Sequence, residues 1–451
     1  MKTTVLIGLC ATLLGAPLIA RQQYAQTITL GKAIEVALER NYIVKQAENN
    51  VERDQASVLA AYGNFAPSLS LSSGWQGGQQ FINGVAIGNS DDRSVSASVR
   101  ADVTIFDGFS NTSSLSSARS TASGTEFTLS RTRQSVVSET QRRYYEVLRT
   151  RRLLEVARLN LRYSSQQLDR VRETARLGSA SLVNVYQQQA QVGQDELSVV
   201  QRESEFAVAK ANLSAYLALD VTQDADFNDL SIPSEIDSTE FLRQKQQTAD
   251  LRALVSRAME QRLDYLSSRQ SLEATTANVT AARANYFPRL SAGASYSLNG
   301  RTQRDLTGLK TASEFENLGN SKSFGWSVSL SLPLFSGFQT NASVERALVS
   351  RSNAEEGLRQ TERTIQVEIK TAVLQLDAAE KTYEAAVKSL QYQDQNLKVN
   401  QEKYNVGSGT ILDLLFAQNN YTAALSSKIN AVYQYLNAKS QLDLAVGSIQ
   451  Q

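Results

Sequence analysis

The sequence repeats itself once, and this duplication limits the possible folds more than any other feature. Three segments recur: FAPSL at 65–69 as YFPRL at 286–290, FDGF at 106–109 as FSGF at 335–338, and LGSAS at 177–181 as VGSGT at 406–410. Their offsets, 221 residues for the first pair and 229 for the others, are far longer than the unit of a solenoid. We therefore predict two halves of one domain, over residues 26–219 and 247–451. The linker between them, 220–246, contains seven acidic residues and no Lys or Arg from 220 to 240.

Each half contains segments in which apolar and polar residues alternate, as in β-strands that have one apolar face. The clearest segments are 94–105, 290–298 and 326–334, and a weaker one follows Pro67. They predict one β-hairpin at about 66–106 and another at about 288–335, with strands of about ten residues, long enough to cross a bilayer when tilted. A soluble sheet with one wet face is the alternative, but we expect no partner sheet for two isolated hairpins.

The two tryptophans of the chain, Trp75 and Trp326, both fall in these predicted strands. Strands that cross a membrane carry belts of aromatic residues at the two interfaces with water. We therefore expect both side chains at the membrane interface, in contact with lipid.

Apolar residues recur every seven positions after each hairpin, which is typical of a coiled-coil seam. The seam residues are Val147, Leu154, Leu161, Leu168 and Ala175 in the first half, and Ile369, Leu376, Tyr383, Leu390, Leu397 and Tyr404 in the second. Uninterrupted helices are predicted from Ser110 to Arg176 and from Gln339 to Asn405, each about 100 Å long at ~1.5 Å per residue. A glycine ends each seam, and a hydroxyl residue that can cap the next helix follows it. The result is a helical hairpin at 108–219 and another at 337–447.

Four strands cannot form a closed membrane structure by themselves. An open sheet edge would leave backbone groups without hydrogen bonds in lipid, and the smallest membrane barrels have about eight strands. The chain must therefore form oligomers. Two copies would give eight strands around a filled interior, and three would give twelve strands around a lumen.

Composition excludes several kinds of chemistry. The chain has no His, and Cys10 is its single Cys, which excludes a Ser-His-Asp triad, a Cys-His pair and an imidazole-based zinc site. We predict no enzyme activity, no cofactor and no bound metal. A formal charge of +1 gives no reason to expect a nucleic-acid partner. Lys2 followed by an apolar run predicts a signal peptide at 1–25, and therefore export.

The combined motifs resemble the TolC family of outer-membrane efflux channels. The resemblance rests on the duplicated halves, the proline before each first strand, Phe-x-Gly-Phe after each second strand, Arg262-Leu263-Asp264, and the Gly-x-x-Ser/Thr turns. It covers essentially the whole chain after the signal peptide. It implies a mixed, mainly α fold: a homotrimer that shares a 12-stranded outer-membrane β-barrel, with four strands per protomer, above a periplasmic α-barrel of long antiparallel coiled-coil helices.

The same resemblance implies a function and partners. The protein would be the exit duct of a tripartite efflux pump or of a type I secretion system, and it would conduct cargo passively to the exterior. A periplasmic adaptor (membrane fusion) protein and an inner-membrane pump of the RND, ABC or MFS type would be its partners. Drugs, metal ions and secreted proteins remain open as cargo, because the pump and adaptor select it. The alternative function is that of a periplasmic structural coiled-coil protein without a channel.

The helical turns at the periplasmic end would contact the adaptor, as the resemblance implies. The residues concerned are Leu177, Gly178, Ser179 and Ser181 in the first turn, and Val406, Gly407, Ser408 and Thr410 in the second. A purely structural explanation is that these glycines and hydroxyls only cap helices.

Members of the family narrow the tunnel above the turns with two rings of aspartate, and the matching positions here are Asp413 and Phe416. Three Asp413 carboxylates would attract cations, and three Phe416 rings would form an apolar constriction that excludes water. Asp413 also fits the third helical position of a capping box that begins at Thr410. Both roles are compatible.

The lock that holds related channels shut is only partly present. Tyr404 matches one member of that lock, but Gly409 stands where relatives have an arginine, and the partner positions are Val183 and Asn184. We therefore expect apolar packing, such as Tyr404 against Phe416, to close the channel. Twelve arginines and five acidic residues between 131 and 176 predict ion pairs with the acidic linker, in preference to a basic stripe for cargo.

Overall fold

The computed structural model describes residues 27–78, 80–83, 85–87, 93–178, 181–223, 225–304 and 309–449. The predicted signal peptide at 1–25 and the predicted adaptor contact Ser179 lie outside these residues. The helices are α1 Leu30–Arg40, α2 Tyr42–Gly63, α3 Ser110–Arg176, α4 Leu182–Tyr216, α5 Ser238–Thr248, α6 Leu251–Gln261, α7 Leu263–Arg283, α8 Gln339–Asn405 and α9 Ile411–Val446. The strands are β1 Ser68–Gly77, β2 Gln80–Ile82, β3 Val85–Ile87, β4 Arg93–Phe106, β5 Arg289–Arg301, β6 Gln303–Arg304, β7 Lys310–Ala312 and β8 Ser321–Ser331.

The two long helices, α3 and α8, have the bounds that the heptad pattern predicts, and each contains 67 residues. Each follows a Phe-x-Gly-Phe segment whose second phenylalanine is left-handed, with φ of 72° at Phe109 and 65° at Phe338. The two rings of each segment pack edge to face, with centroids 5.5 Å apart for Phe106–Phe109 and 5.6 Å apart for Phe335–Phe338. This contact stabilises the sharp turn that leads from strand to helix.

The four long strands form one antiparallel sheet in the order β1-β4-β5-β8. The expectation of two isolated hairpins is therefore wrong, because β4 of the first half pairs with β5 of the second along nearly their whole length. β8 ends at Ser331, earlier than the alternating pattern predicts. Pro333 explains this end, because proline has no N–H to donate to a neighbouring strand.

The sheet has one apolar and one polar face. Its register aligns Trp75 with Val95 and Val95 with Gly300, and aligns Ala294 with Trp326. The apolar face, as we call it, carries Leu69, Leu71, Trp75, Val95, Val99, Val103, Leu290, Tyr296, Leu298, Phe324, Trp326, Val328 and Leu330. The opposite face is rich in serine, and hydroxyl pairs such as Ser72–Ser98 at 2.8 Å link its strands.

The helices continue the order of the strands. α3 packs mainly against α2, α4, α7 and α9, and α8 packs against α7 and α9. The open sides of a protomer are therefore formed by α2 and α4 below the β1 edge, and by α8 below the β8 edge. None of the helices in the described part of the chain is both long and apolar enough to cross a membrane.

The acidic linker packs on the long helices, and Arg151 bears out the predicted pairing with it, whereas Arg142, Arg149 and Arg176 pair with carboxylates of α3 itself. Arg151 of α3 lies 3.6 Å from Asp226, and Lys428 of α9 lies 2.5 Å from Glu235. Phe227 is 1% exposed and packs edge to face on Tyr144. Short segments of the linker therefore pack against the middle of the helical part.

Equivalent residues of the two halves bind the ends of their helical hairpins. Asn41 donates from Nδ2 to the carbonyl oxygen of Tyr216 at 2.9 Å. Arg262, 221 positions later, donates from Nη1 to the carbonyl oxygen of Ala445 at 3.1 Å. Both side chains cover a helix C-terminus, where carbonyl groups lack partners within the helix. Sequence comparison of the halves aligns these positions but does not reveal this contact.

Candidate functional site

The turn between α3 and α4 presents one exposed apolar side chain on a tightly hydrogen-bonded backbone. Gly178 has φ of +77°, a left-handed conformation that glycine adopts without steric cost, and its N–H donates to the Ala175 carbonyl at 3.0 Å. Ser181 then caps α4, accepting from the N–H of Val183 at 3.2 Å. Leu177 is 65% exposed. Both capping predictions are confirmed.

The turn between α8 and α9 has the same design. Gly407 has φ of +75°, and Val406 is 74% exposed. Ser408 donates from its backbone N–H to the carbonyl of Lys403 at 2.9 Å. A Cβ added to Gly409 would lie 3.0 Å from the Lys403 Cβ, so a larger residue at this position would require Lys403 to shift.

Asp413 forms the predicted capping box with Thr410. The Asp413 N–H donates to Thr410 Oγ1 at 3.1 Å, and the Thr410 N–H donates to Asp413 Oδ2 at 3.1 Å. The Thr410 hydroxyl also donates to Asp413 Oδ2 at 2.6 Å. These hydrogen bonds, led by that of the hydroxyl and aided by the nearby charge of Lys403, hold the pKa of Asp413 below its usual value. The carboxylate is therefore charged at neutral pH.

Asp413 and Phe416 both lie on the exposed side of the first turns of α9. Phe416 is 60% exposed, whereas Leu414 and Ala417 are each 2% exposed on the opposite side of the helix. The acidic side chain of Asp413 and the apolar side chain of Phe416 are thus exposed on the same side of α9, one helical turn apart.

The predicted lock residues differ in their exposure within a protomer. Tyr404 lies beside Gln167, a buried residue of α3, and burial raises the pKa of Tyr404. Asn184 is half-buried, and Val183 is 59% exposed. The packing of Tyr404 on Phe416 stays a prediction.

A polar network between the two hairpins was not predicted from the sequence. Asn160 of α3 donates to Asp195 Oδ1 of α4 at 2.9 Å, and its Oδ1 accepts from Gln418 at 3.0 Å and from Thr422 at 3.1 Å, both on α9. Asp195 is 5% exposed, and its Oδ2 has no hydrogen-bond partner. Gln188, seven positions earlier, is also buried. Polar residues at heptad spacing on α4 are the sequence signal that could have revealed this network.

An amphipathic sheet that continues into two coiled-coil hairpins with exposed turns is the protomer of a channel. The chain belongs to the outer membrane efflux protein family, whose model matches residues 33–219 and 254–448. It is 24% identical over 339 residues to outer membrane protein TolC of Vibrio cholerae serotype O1, which covers 74% of this chain and 73% of that protein. It is 23% identical over 408 residues to TolC of Escherichia coli, which covers 88% of this chain and 78% of that protein.

Solved structures agree in fold. The CmeC outer membrane channel of Campylobacter jejuni superposes with a TM-score of 0.74 at 19% identity, over 93% of this chain and 85% of that one. The protein is accordingly an outer-membrane exit channel with a mainly helical fold of the TolC type. This result favours a channel over a structural coiled coil, and a conduit over an enzyme.

Proposed function

We propose that three copies of this chain form a closed conduit that serves as the exit duct of a tripartite efflux pump or a type I secretion system. The observation that carries this proposal is the position of the open sides. The free edges of the sheet, β1 and β8, lie above the free sides of the helical layer, α2 with α4 on one side and α8 on the other. The rotation that pairs β8 of one copy with β1 of the next therefore also brings α8 of the first copy against α2 and α4 of the next. The same symmetry thus closes both the sheet and the helical layer.

Exposed apolar residues on these free sides support this assembly. α8 exposes Val367, Leu374, Tyr392 and Val399, and α4 exposes Leu197, Val200 and Val208. Apolar side chains at heptad-like spacing on an unpaired helix face fit a second coiled-coil contact. Repeating this head-to-tail contact closes a ring, and three copies supply twelve strands, enough for a lumen.

Purified protein in detergent tests the assembly. We expect a trimer by light scattering, heat-dependent migration on a gel, and single-channel conductance in planar bilayers. Val367→Glu and Leu374→Glu place charges on the free side of α8 and should reduce trimer formation. Leu242→Glu, on the exposed surface of α5, is the matched control. A monomer that never conducts would contradict the proposal.

Within the conduit, Asp413 and Phe416 would form the narrow periplasmic entrance, with Tyr404 and Asn184 beside it. Asp413→Asn removes the charge and keeps an oxygen for the helix cap, whereas Thr410→Ala weakens the cap and keeps the charge. Cation selectivity should fall in Asp413→Asn and persist in Thr410→Ala. Unchanged selectivity in Asp413→Asn would exclude the ring of carboxylates.

The two turns would dock the adaptor, and the exposed Leu177 and Val406 offer it apolar contacts. Gly178, Ser181, Gly407, Ser408 and Thr410 would hold the backbone of the turns in the required shape. Cysteines introduced at 177 and 406 should cross-link to the adaptor in cells, and a cysteine at the exposed Leu242 should not. Capture of the adaptor at all three positions alike would argue against docking at the turns.

A further inference from the structure

The apolar face of the sheet ends in a positive charge at the extracellular side. On β5 this face runs from Leu290 to Leu298, and the eight steps between these nine residues span about 27 Å at ~3.4 Å per step, close to the ~25 Å height of a membrane-facing apolar band. On β8 the same face carries Leu330, Val328, Trp326, Phe324 and finally Lys322. Lys322 stands at the end far from the helices, because α8 follows the other end of β8.

A second cation lies on this face beside a tryptophan. Arg93, two residues before Val95 on β4, places its guanidinium carbon 5.7 Å from the centre of the Trp75 ring. Trp75 is 62% exposed, and Arg93 and Lys322 are both exposed. Neither cation forms an ion pair with a carboxylate of the described ranges.

A carboxylate on the same face, Glu314, forms hydrogen bonds with other groups. Glu314 is 3% exposed and accepts from Trp75 Nε1 at 3.1 Å and from Thr302 Oγ1 at 3.2 Å. Lys310 lies 3.9 Å from it. The backbone around Glu314 lies so close to β5 that a Cβ on Gly300 would come within 2.1 Å of the Glu314 carbonyl oxygen. The segment thus fixes the indole, and Arg93 and Lys322 remain exposed beside it.

We propose that Arg93, Trp75 and Lys322 bind the phosphate-bearing headgroup of a glycolipid in the outer leaflet of the outer membrane. The inference rests on the proposed function, because the inserted trimer places this end of the sheet at the outer surface. The forked donors of arginine match a phosphate group, and lysine adds a point charge. Tryptophan favours the interface between apolar chains and water, and basic groups at that level attract anionic headgroups.

Native mass spectrometry of the detergent-purified trimer tests this site, with bis-phosphorylated lipid A as the probe. Removing one charge should weaken binding about fivefold, so the double variant R93Q/K322Q should bind about 25-fold more weakly than the unchanged protein. The control K398Q, at an exposed lysine of α8, should bind normally. Excess inorganic phosphate should not displace the lipid.

Conductance and trimer migration are measured on the same samples. An unchanged protein that neither trimerises nor conducts would refute the proposed function. A conducting trimer that binds lipid A equally with and without both cations would refute the lipid site alone, as would displacement by inorganic phosphate. If the double variant does not form trimers, the single variants R93Q and K322Q replace it in the lipid-binding measurement. Each of them should bind lipid A about fivefold more weakly than the unchanged protein.

Discussion

Replacing Arg262 by alanine should destabilise the protein more than replacing any exposed arginine. The Arg262 side chain is 2% exposed. Its guanidinium donates to Asp264 at 3.0 and 2.5 Å, to Glu368 at 2.6 Å and to the carbonyl oxygen of Ala445 at 3.1 Å. It therefore joins the start of α7, the middle of α8 and the end of α9.

The expected loss in the free energy of unfolding depends on the two carboxylates that the substitution leaves without their partner. Removing one partner of a buried ion pair costs about 3–5 kcal/mol. Asp264 and Glu368 are 33% and 45% exposed, so water can solvate them, and we expect a loss near ~3 kcal/mol, at the lower limit. The unfolding entropy of a chain of this length is about 0.9 kcal/mol/K, which converts the loss into a decrease in Tm of about 3 °C.

Thermal unfolding in detergent, followed by circular dichroism, measures this decrease. The matched control is Arg359→Ala, because Arg359 pairs with Glu356 at a site where the side chains are 58% and 60% exposed, and such pairs contribute at most about 1 kcal/mol. A Tm for Arg262→Ala within 1 °C of this control, roughly the change expected for a surface pair, would refute the reasoning.

The pKa of Asp264 adds a second readout. Burial raises this pKa, but the hydrogen bonds and charge of Arg262 outweigh burial, and the net value lies below the usual one. A carboxyl group whose pKa is lower in the folded state than in the unfolded state stabilises the folded protein at pH values above its unfolded-state pKa. This contribution is lost as the pH falls through the folded-state pKa. The difference between Arg262→Ala and the unchanged protein should therefore shrink below about pH 4.

Three further predictions concern other parts of the chain. Gly300→Ala should disturb the segment around Glu314, because the added Cβ has no space, and limited proteolysis of intact cells should detect cleavage there that Gly325→Ala does not cause. Asn160→Leu breaks the hydrogen bonds between the hairpins and leaves Asp195 buried with fewer donors, so channel openings in planar bilayers should become more frequent; an unchanged open probability would contradict this. Burial raises the pKa of Asp443, so its ionisation opposes folding as pH rises through that value, and Asp443→Asn should raise the Tm at neutral pH but not at acid pH.

Local rules were sufficient for the long helices and the turns. The heptads, the glycines at 178 and 407 and the caps at Ser181 and Thr410 follow from the conformations of neighbouring residues, so α3 and α8 could be predicted to the residue. The capping box of Asp413 is equally local. Alternation likewise predicted the four long strands, although Pro333 ended β8 earlier than the pattern suggested, and the short strands β2, β3, β6 and β7 were not predicted.

The candidate residues at the two helical turns were predicted only as positions. Their numbers followed from the turn motifs, and the structure added their exposure and the tight approach of Gly409 to Lys403. The network around Asn160 was missed, because polar residues at seam positions resemble ordinary surface residues until the facing helices are known.

By itself, the sequence determined the two long helices, the four long strands, the turns that end the long helices and the presence of two similar halves, because these features appear as patterns along the chain. Only the tertiary structure decided that β4 and β5 join the halves into one sheet, that Arg262 binds the end of α9, and that Glu314 meets Trp75. These contacts connect residues about two hundred positions apart, as in the 239-residue separation of Trp75 and Glu314. Buried hydrogen-bond donors and charges need partners, and folding supplies these partners from distant parts of the chain. No local sequence pattern indicates which distant residue will be the partner.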